Sequence, residues 1–196
     1  MQDQRRVVID TVYPKINNGD YYIKRVVNEI VAIDANVLVD GHDVIAASVL
    51  FKHESEKKWH EARMHHVIND EWKGSFTVTK QGYYSYKVEG WVDHALNWQH
   101  GIERKIQDKQ HVKLELLEGI PFIKDVLKKE SGNDALYLEH LQKIFGLEKH
   151  YGEAIKEATS KRLHTIFTKH PQKTHANTSK DYQVYVDRLK ARFSTW

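Results

Sequence analysis

The sequence predicts an α+β protein, an immunoglobulin-like β-sandwich interrupted by an inserted α-helical bundle. Three observations carry that prediction. Up to about residue 93, short apolar and β-branched runs are separated by turn dipeptides. From there to about His170, apolar residues recur every three or four positions. After Pro171, a strand-like alternation returns in "YQVYVDRLKARFSTW". A strand pattern on both sides of a helical stretch places the helices inside the sheet domain, with the last strand completing the sheet. The predicted boundaries are 1–93 plus 180–196 for the sandwich and 94–179 for the bundle and its trailing loop.

The strand candidates are "RVVIDTV", "EIVAIDANVLV", "VIAASVLFK", "ARMHHVI", "EWKGSFTV" and "YYSYKVEGWV". In the last, Tyr84, Tyr86 and Val88 alternate with Ser85, Lys87 and Glu89, as in a half-buried strand. Asn17-Asn18-Gly19-Asp20, Asp40-Gly41, Asn69-Asp70 and Gln81-Gly82 supply the turns. Several strands at turn-bounded spacing are the pattern of an immunoglobulin-type sandwich, here without a cysteine pair. In the helical stretch, Leu114, Leu117, Ile120, Ile123 and Leu127 form one stripe, and Leu138, Leu141 and Phe145 another. Ser131 or Asn133 is expected to cap the helix near Asp134. Pro121, after Gly119, is expected to kink or restart its helix, and Gly146 and Gly152 to mark further breaks. Three to five helices with short connections make a small bundle. "QKTHANTSKD" reads as a loop, and the final alternation runs on to Trp196. A domain ending in mid-pattern is expected to be a fragment of a longer protein.

Composition narrows the function classes. A chain of 196 residues with 40% hydrophobic and 29% charged residues can bury a real core. Its apolar runs are too short to cross a bilayer, and "MQDQRRVVID" has no apolar core of a secretory signal. The absence of cysteine excludes disulfides, thiolate zinc sites and a cysteine nucleophile, and suits a reducing compartment, so the expected location is cytoplasmic. A net charge of +3 falls short of a nucleic-acid footprint. Neither nucleic acid nor membrane is an expected partner. There is no glycine-rich phosphate loop.

The motif with the most suggestive chemistry is "VDGHDV", Val39–Val44, a histidine between two aspartates. Carboxylate and imidazole together can form a general base or bind zinc. The flanking strand candidates favour a turn, since glycine accepts positive φ and aspartate bonds nearby backbone N–H groups. The 13 histidines contain no His-x3-His helical pair, so no metal site is expected. No Gly-x-Ser-x-Gly elbow occurs, and no two carboxylates stand out as a glycosidase pair. Trp72 and Trp91 read as core, with Trp59 and Trp98 partly buried; exposed indole rings would offer sugar-stacking faces. Lys161, Arg162, Lys169 and Lys173 read as a solvated helix end.

The run "KRVVNEIVAIDANVLVDGHDVIAASVLFK", with Trp59, Met64, Asn69-Asp70, Trp72, Gly74-Ser75-Phe76, Gly82, Tyr84, Tyr86, Val88-Glu89, Trp91-Val92-Asp93 and Trp98, resembles the amino-terminal region of the bacterial α-1,4-glucan:maltose-1-phosphate maltosyltransferases. "LELLEG" at Leu114–Gly119 and "VDR..ARFSTW" at Val186–Trp196 extend the resemblance. It implies a sandwich with a helical insert that mediates homodimerisation and packs beside a catalytic (β/α)8 barrel expected after residue 196. The barrel of such retaining transferases supplies an aspartate nucleophile and a glutamate acid/base. It passes maltose from maltose 1-phosphate to the non-reducing end of an α-1,4-glucan. The resemblance therefore implies no catalytic residue, cofactor or metal on this chain, whose role would be scaffolding. "VDGHDV" becomes a family turn, and His42→Ala is expected to leave metal content unchanged and lower stability.

Two other readings compete: a free-standing carbohydrate-binding module using exposed tryptophans, and a dimerisation domain without sugar contact. The dense motif at Trp91–Lys105 also nominates Trp98, Arg104 and Lys105 as substrate-proximal residues, the two cations being suited to phosphate.

Overall fold

Alternating burial builds the strands of the first unit. In this computed structural model, which describes residues 6–193, they are β1 (Val7–Tyr13), β2 (Ile23–Val26), β3 (Ile30–Val39), β4 (Ile45–His53), β5 (His60–Arg63), β6 (His65–Ile68), β7 (Glu71–Thr77) and β8 (Gly82–Val92). The helices α1 (His94–Gln107), α2 (Lys113–Leu127), α3 (Gly132–Ile144), α4 (Tyr151–Ala158) and α5 (Lys161–Lys169) follow. Strands β9 (Asn177–Thr178) and β10 (Tyr182–Asp187) complete the order. The chain divides into two units, Met1–Val92 with Thr174–Trp196, and Asp93–Lys173.

One sheet has the order β1-β3-β7-β6. The other runs β2-β10-β8-β4-β5, with β9 on β8. Their shared core contains Val12, Val31, Ile33, Val37, Val49, Phe76, Tyr86, Val88, Val184 and Val186. Burying each such side chain contributes about 2 kcal/mol. Tyr86, fully buried, stacks on Tyr182 at 5.5 Å and donates its hydroxyl proton to the Pro14 carbonyl at 2.5 Å. Burial, reinforced by Tyr182, raises the Tyr86 phenol above its usual 10.0.

Several sequence expectations shift. "ARMHHVI" is two strands, because the chain changes sheets at Met64: β5 pairs with β4, and β6 with β7. The buried Met64 side chain enters the core where Gly74 leaves room; a Cβ on Gly74 would lie 2.8 Å from Met64 Cγ. Strand β2 has no counterpart among the strand candidates; it lies parallel to β10 in the register Ile23↔Val184 to Val26↔Asp187. The final strand ends at Asp187, where its carboxylate accepts from Arg188 N at 2.7 Å and a short 3-10 turn, Leu189–Phe193, follows. Residues 194–196 lie outside the described residues. The segment 174–179, expected with the insert, sits with the sheets: Asn177 and Thr178 pair with β8, and Ser179 exchanges hydrogen bonds with Val88.

In the helical unit, Asp93 accepts from Leu96 N at 3.3 Å and Ser160 from Leu163 N at 3.2 Å, capping α1 and α5. Ser131 occupies the cap position of α3 without a side-chain bond. Leu138, Leu141 and Phe145 are buried as the periodicity requires. The α2 stripe is rotated instead. Leu116, Gly119, Ile123 and Val126 face the core, while Leu114 is 71% and Leu117 40% exposed. Pro121 does not interrupt α2. The carbonyl its missing N–H leaves free is that of Leu117, on the same exposed side where water can bond it. Among the described residues, no helix is long and apolar enough to cross a membrane.

The raised Tyr86 phenol makes an alkaline prediction. Above pH 10 the unfolded tyrosine loses its proton while the folded one keeps it, so stability falls as pH rises and is complete below pH 10. Urea titrations between pH 9 and 11 should show Tyr86→Phe about 1 kcal/mol less stable at the lower pH, with a shallower loss above pH 10. Parallel curves for the two proteins would refute the assignment.

Candidate functional site

Trp72 and Trp91 are buried and Trp59 and Trp98 half-buried, in line with the sequence pattern. Trp59 sits on the outer face of the six-stranded sheet, its ring 4.8 Å from Lys52 Nζ and 4.4 Å from Lys87 Nζ. Two ammonium groups supporting one indole account for its position.

The substrate-proximal candidates fall in the helical unit. Trp98 pins the bundle: its indole N–H donates to the Glu115 carbonyl at 2.6 Å, and Phe122, Phe145 and Phe167 lie 6.1–6.3 Å away. A side chain at Gly119 would overlap the indole, so glycine there permits α2 to approach α1. Lys105, on the same face of α1, bonds the Glu115 carboxylate, which holds that carboxyl below its usual range and raises the lysine. Glu115 thus ties α2 to α1 through both its backbone and its side chain. Arg104 is exposed. The structure brings Trp98 and Lys105 together around Glu115, with Arg104 outside that contact.

"VDGHDV" carries the chain from β3 in one sheet to β4 in the other. Gly41 takes φ +103°, a conformation disfavoured for any side chain. Arg6 clamps the turn, with Nη1 2.5 Å from the Asp43 carboxylate and Nη2 donating to the Asp40 carbonyl at 3.3 Å. His42 is exposed. Among the described residues, no three His, Asp or Glu side chains converge to hold a metal ion.

The outer face of the four-stranded sheet holds a groove that sequence reasoning does not reveal. Its volume is about 310 Å³, and Thr11, Tyr13, Asp34, Asn36, Glu71 and Lys73 line it. Strand register arranges them in two rows, Tyr13·Asp34·Lys73 and Thr11·Asn36·Glu71. The intervening Val12, Ala35 and Trp72 point inward and are buried. Lys73 Nζ is 3.3 Å from Asp34. The alternation that makes these positions look like ordinary solvated strand residues is the only signal they carry in the sequence.

Nearby cations lower several carboxyls. Lys80, then His60, pull the Glu56 carboxyl down to about 2. Cationic partners likewise lower Glu115, Asp125, Glu130, Glu148 and Glu153.

Among the described residues, a two-sheet unit is interrupted after Val92 by five helices. Residues 5–188 match the family model "Alpha-1,4-glucan:maltose-1-phosphate maltosyltransferase, domain N/S". The chain belongs to that family. It is 34% identical to the maltosyltransferase of that name from Chlorobaculum tepidum, aligned over 98% of this chain and 29% of the relative. The corresponding protein of Salinibacter ruber is 32% identical over 97% of the chain and 28% of its own length. That of Myxococcus xanthus is 30% identical over 97% and 30%. The chain thus spans less than a third of the length of these curated relatives.

Arg6 is paired with Asp43, whereas His42 is exposed. Asp43→Ala should cost about 1 kcal/mol in thermal unfolding, and His42→Ala less than about 0.5 kcal/mol. Elemental analysis should find the metal content of both unchanged. A larger loss for His42→Ala, or zinc that disappears with it, would contradict this account.

Proposed function

We propose that this chain is the non-catalytic amino-terminal portion of an enzyme that transfers maltose from maltose 1-phosphate to the non-reducing end of α-1,4-glucans. The observation that carries this reading is the family match over residues 5–188 with relatives of that printed activity. Bond-making chemistry then belongs to the longer part of such a protein, in the cytoplasm. The lowered carboxylates of this chain support that division, since ion-paired surface bases are poor proton donors at neutral pH. The two-sheet unit is read as an immunoglobulin-type sandwich serving as scaffold. No cofactor enters this account.

Homodimer assembly is the second part of the proposal. Leu114, Leu117, Leu136 and Leu147 of the helical unit are 40–71% exposed. Apolar side chains gathered on one unit at that exposure are suited to burial against a second copy.

Phosphate release from maltose 1-phosphate with maltohexaose tests the first part. The 196-residue chain should give none, and the longer protein containing it should elongate the acceptor. Turnover by the short chain would overturn the reading. For the second part, light scattering should return twice the 23.0 kDa chain mass, and Leu114→Asp with Leu136→Asp should return the monomer. A monomeric parent, or a dimer indifferent to both changes, would refute the helical interface.

A further inference from the structure

We infer that the groove on the outer face of the four-stranded sheet is a binding surface for a neutral saccharide, an α-1,4-glucan chain. Its first support is shape. A sheet face is normally shallow, but here both flanking strands are bulged at one level. Strand β1 carries an extra residue, Asp10, between Ile9 and Thr11, where β3 advances by one from Val37 to Asn36. Strand β6 carries Val67 between His66 and Ile68, where β7 advances by one from Trp72 to Glu71. Bulges bend their strand and increase its twist. Both therefore bend the sheet beside the row Thr11·Asn36·Glu71, and the groove lies on that row.

The second support is chemistry. Tyr13 is 53% exposed and forms a wall, its ring held from one side by Lys15 Nζ at 5.2 Å from the centroid. An exposed phenol ring offers an apolar face to the C–H groups of a sugar. Around it stand a hydroxyl, an amide, two carboxylates and an ammonium, which suit the mixed donor and acceptor demand of sugar hydroxyls. The carboxylates of Asp34 and Glu71, with that of Asp10 bonded to the Thr11 hydroxyl at 2.9 Å, outnumber the ammonium groups of Lys73 and Lys15. That charge disfavours a sugar phosphate or a nucleic acid, while the hydroxyl, amide and phenol of the lining suit a neutral polymer. Trp59, on the other sheet, has Lys52 and Lys87 at its ring, two cations where the groove presents carboxylates.

The identification of the sugar as an α-1,4-glucan rests on the transferase reading; the groove as a saccharide site does not. Calorimetry of the 196-residue chain with maltoheptaose should give saturable binding. Tyr13→Ala and Asn36→Ala should each weaken it about tenfold, while Trp59→Ala leaves it within about twofold. Circular dichroism checks folding, and should Tyr13→Ala unfold, amide shift changes on titration of the parent must map to Thr11, Asn36 and Glu71. Absence of saturable binding, or binding lost with Trp59→Ala instead, would overturn the inference, and equal affinity for cellohexaose would overturn its assignment to an α-1,4-glucan. So would dissociation of a dimer by Asn36→Ala, which would make the groove an interface between copies. Glucan binding at the groove alongside a longer protein that transfers no maltose would sink the enzymatic reading alone; transfer without groove binding would sink only this one.

Discussion

The insertion of β10 between β2 and β8 is the constraint on which this architecture depends. Val184 sits beside Ile23 on one side and Tyr84 on the other, so three segments far apart in the chain must meet in one register. Loop closure over such separations carries an entropic cost that grows only slowly with length. The helices can therefore occupy the intervening chain at little additional expense, provided the returning strand has enough to gain. It gains ladder bonds on both edges and buries Tyr182, Val184 and Val186 completely or nearly so. Tyr182 then stacks on Tyr86, whose hydroxyl bonds the carbonyl of Pro14. The end of the chain thereby braces the segment that follows its first strand.

The helical unit solves a different problem, holding short helices that would be marginal alone. Part of its answer is an aromatic pin set in an apolar core that includes Ile102, Leu116, Ile123, Leu141 and Leu163. Trp98 reaches from α1 to the backbone of α2 and is surrounded by phenylalanines from α2, α5 and the end of α3. Gly119 is required for that approach, and Lys105 adds an ionic tie to the same Glu115. The dense motif that makes Trp98 and Lys105 conspicuous in the sequence has a structural explanation in this contact.

Elements whose burial pattern is local are legible in the amino-acid order alone. Strands β3, β7 and β8 alternate, and Leu138, Leu141 and Phe145 share a helix face. What escapes such reading depends on partners distant in sequence. Strand β2 is only four residues long and is made a strand by parallel pairing with β10. The break at Met64 depends on which sheet receives each half of "ARMHHVI". The phase of α2 departs from its apolar stripe because Leu114 and Leu117 have apolar side chains that this chain does not bury in itself. Periodicity reports that a face is apolar and is silent about what covers it.

The same asymmetry explains why a groove can lie hidden on an ordinary sheet. Inward residues of β1, β3 and β7 are dictated by the core: a polar group in place of Val12 or Ala35 would be buried without a partner. Their outward neighbours carry no such requirement, so Thr11, Asn36 and Glu71 look interchangeable with any solvated strand residues. Only register places them side by side, and only the paired bulges at Asp10 and Val67 bend the sheet beside them. A single bulge would tilt one strand; two at the same level, on either side of two regular strands, shape a surface. Bulging both strands sacrifices ladder hydrogen bonds that a flat sheet would keep. The groove along Thr11, Asn36 and Glu71 lies where that regularity is given up.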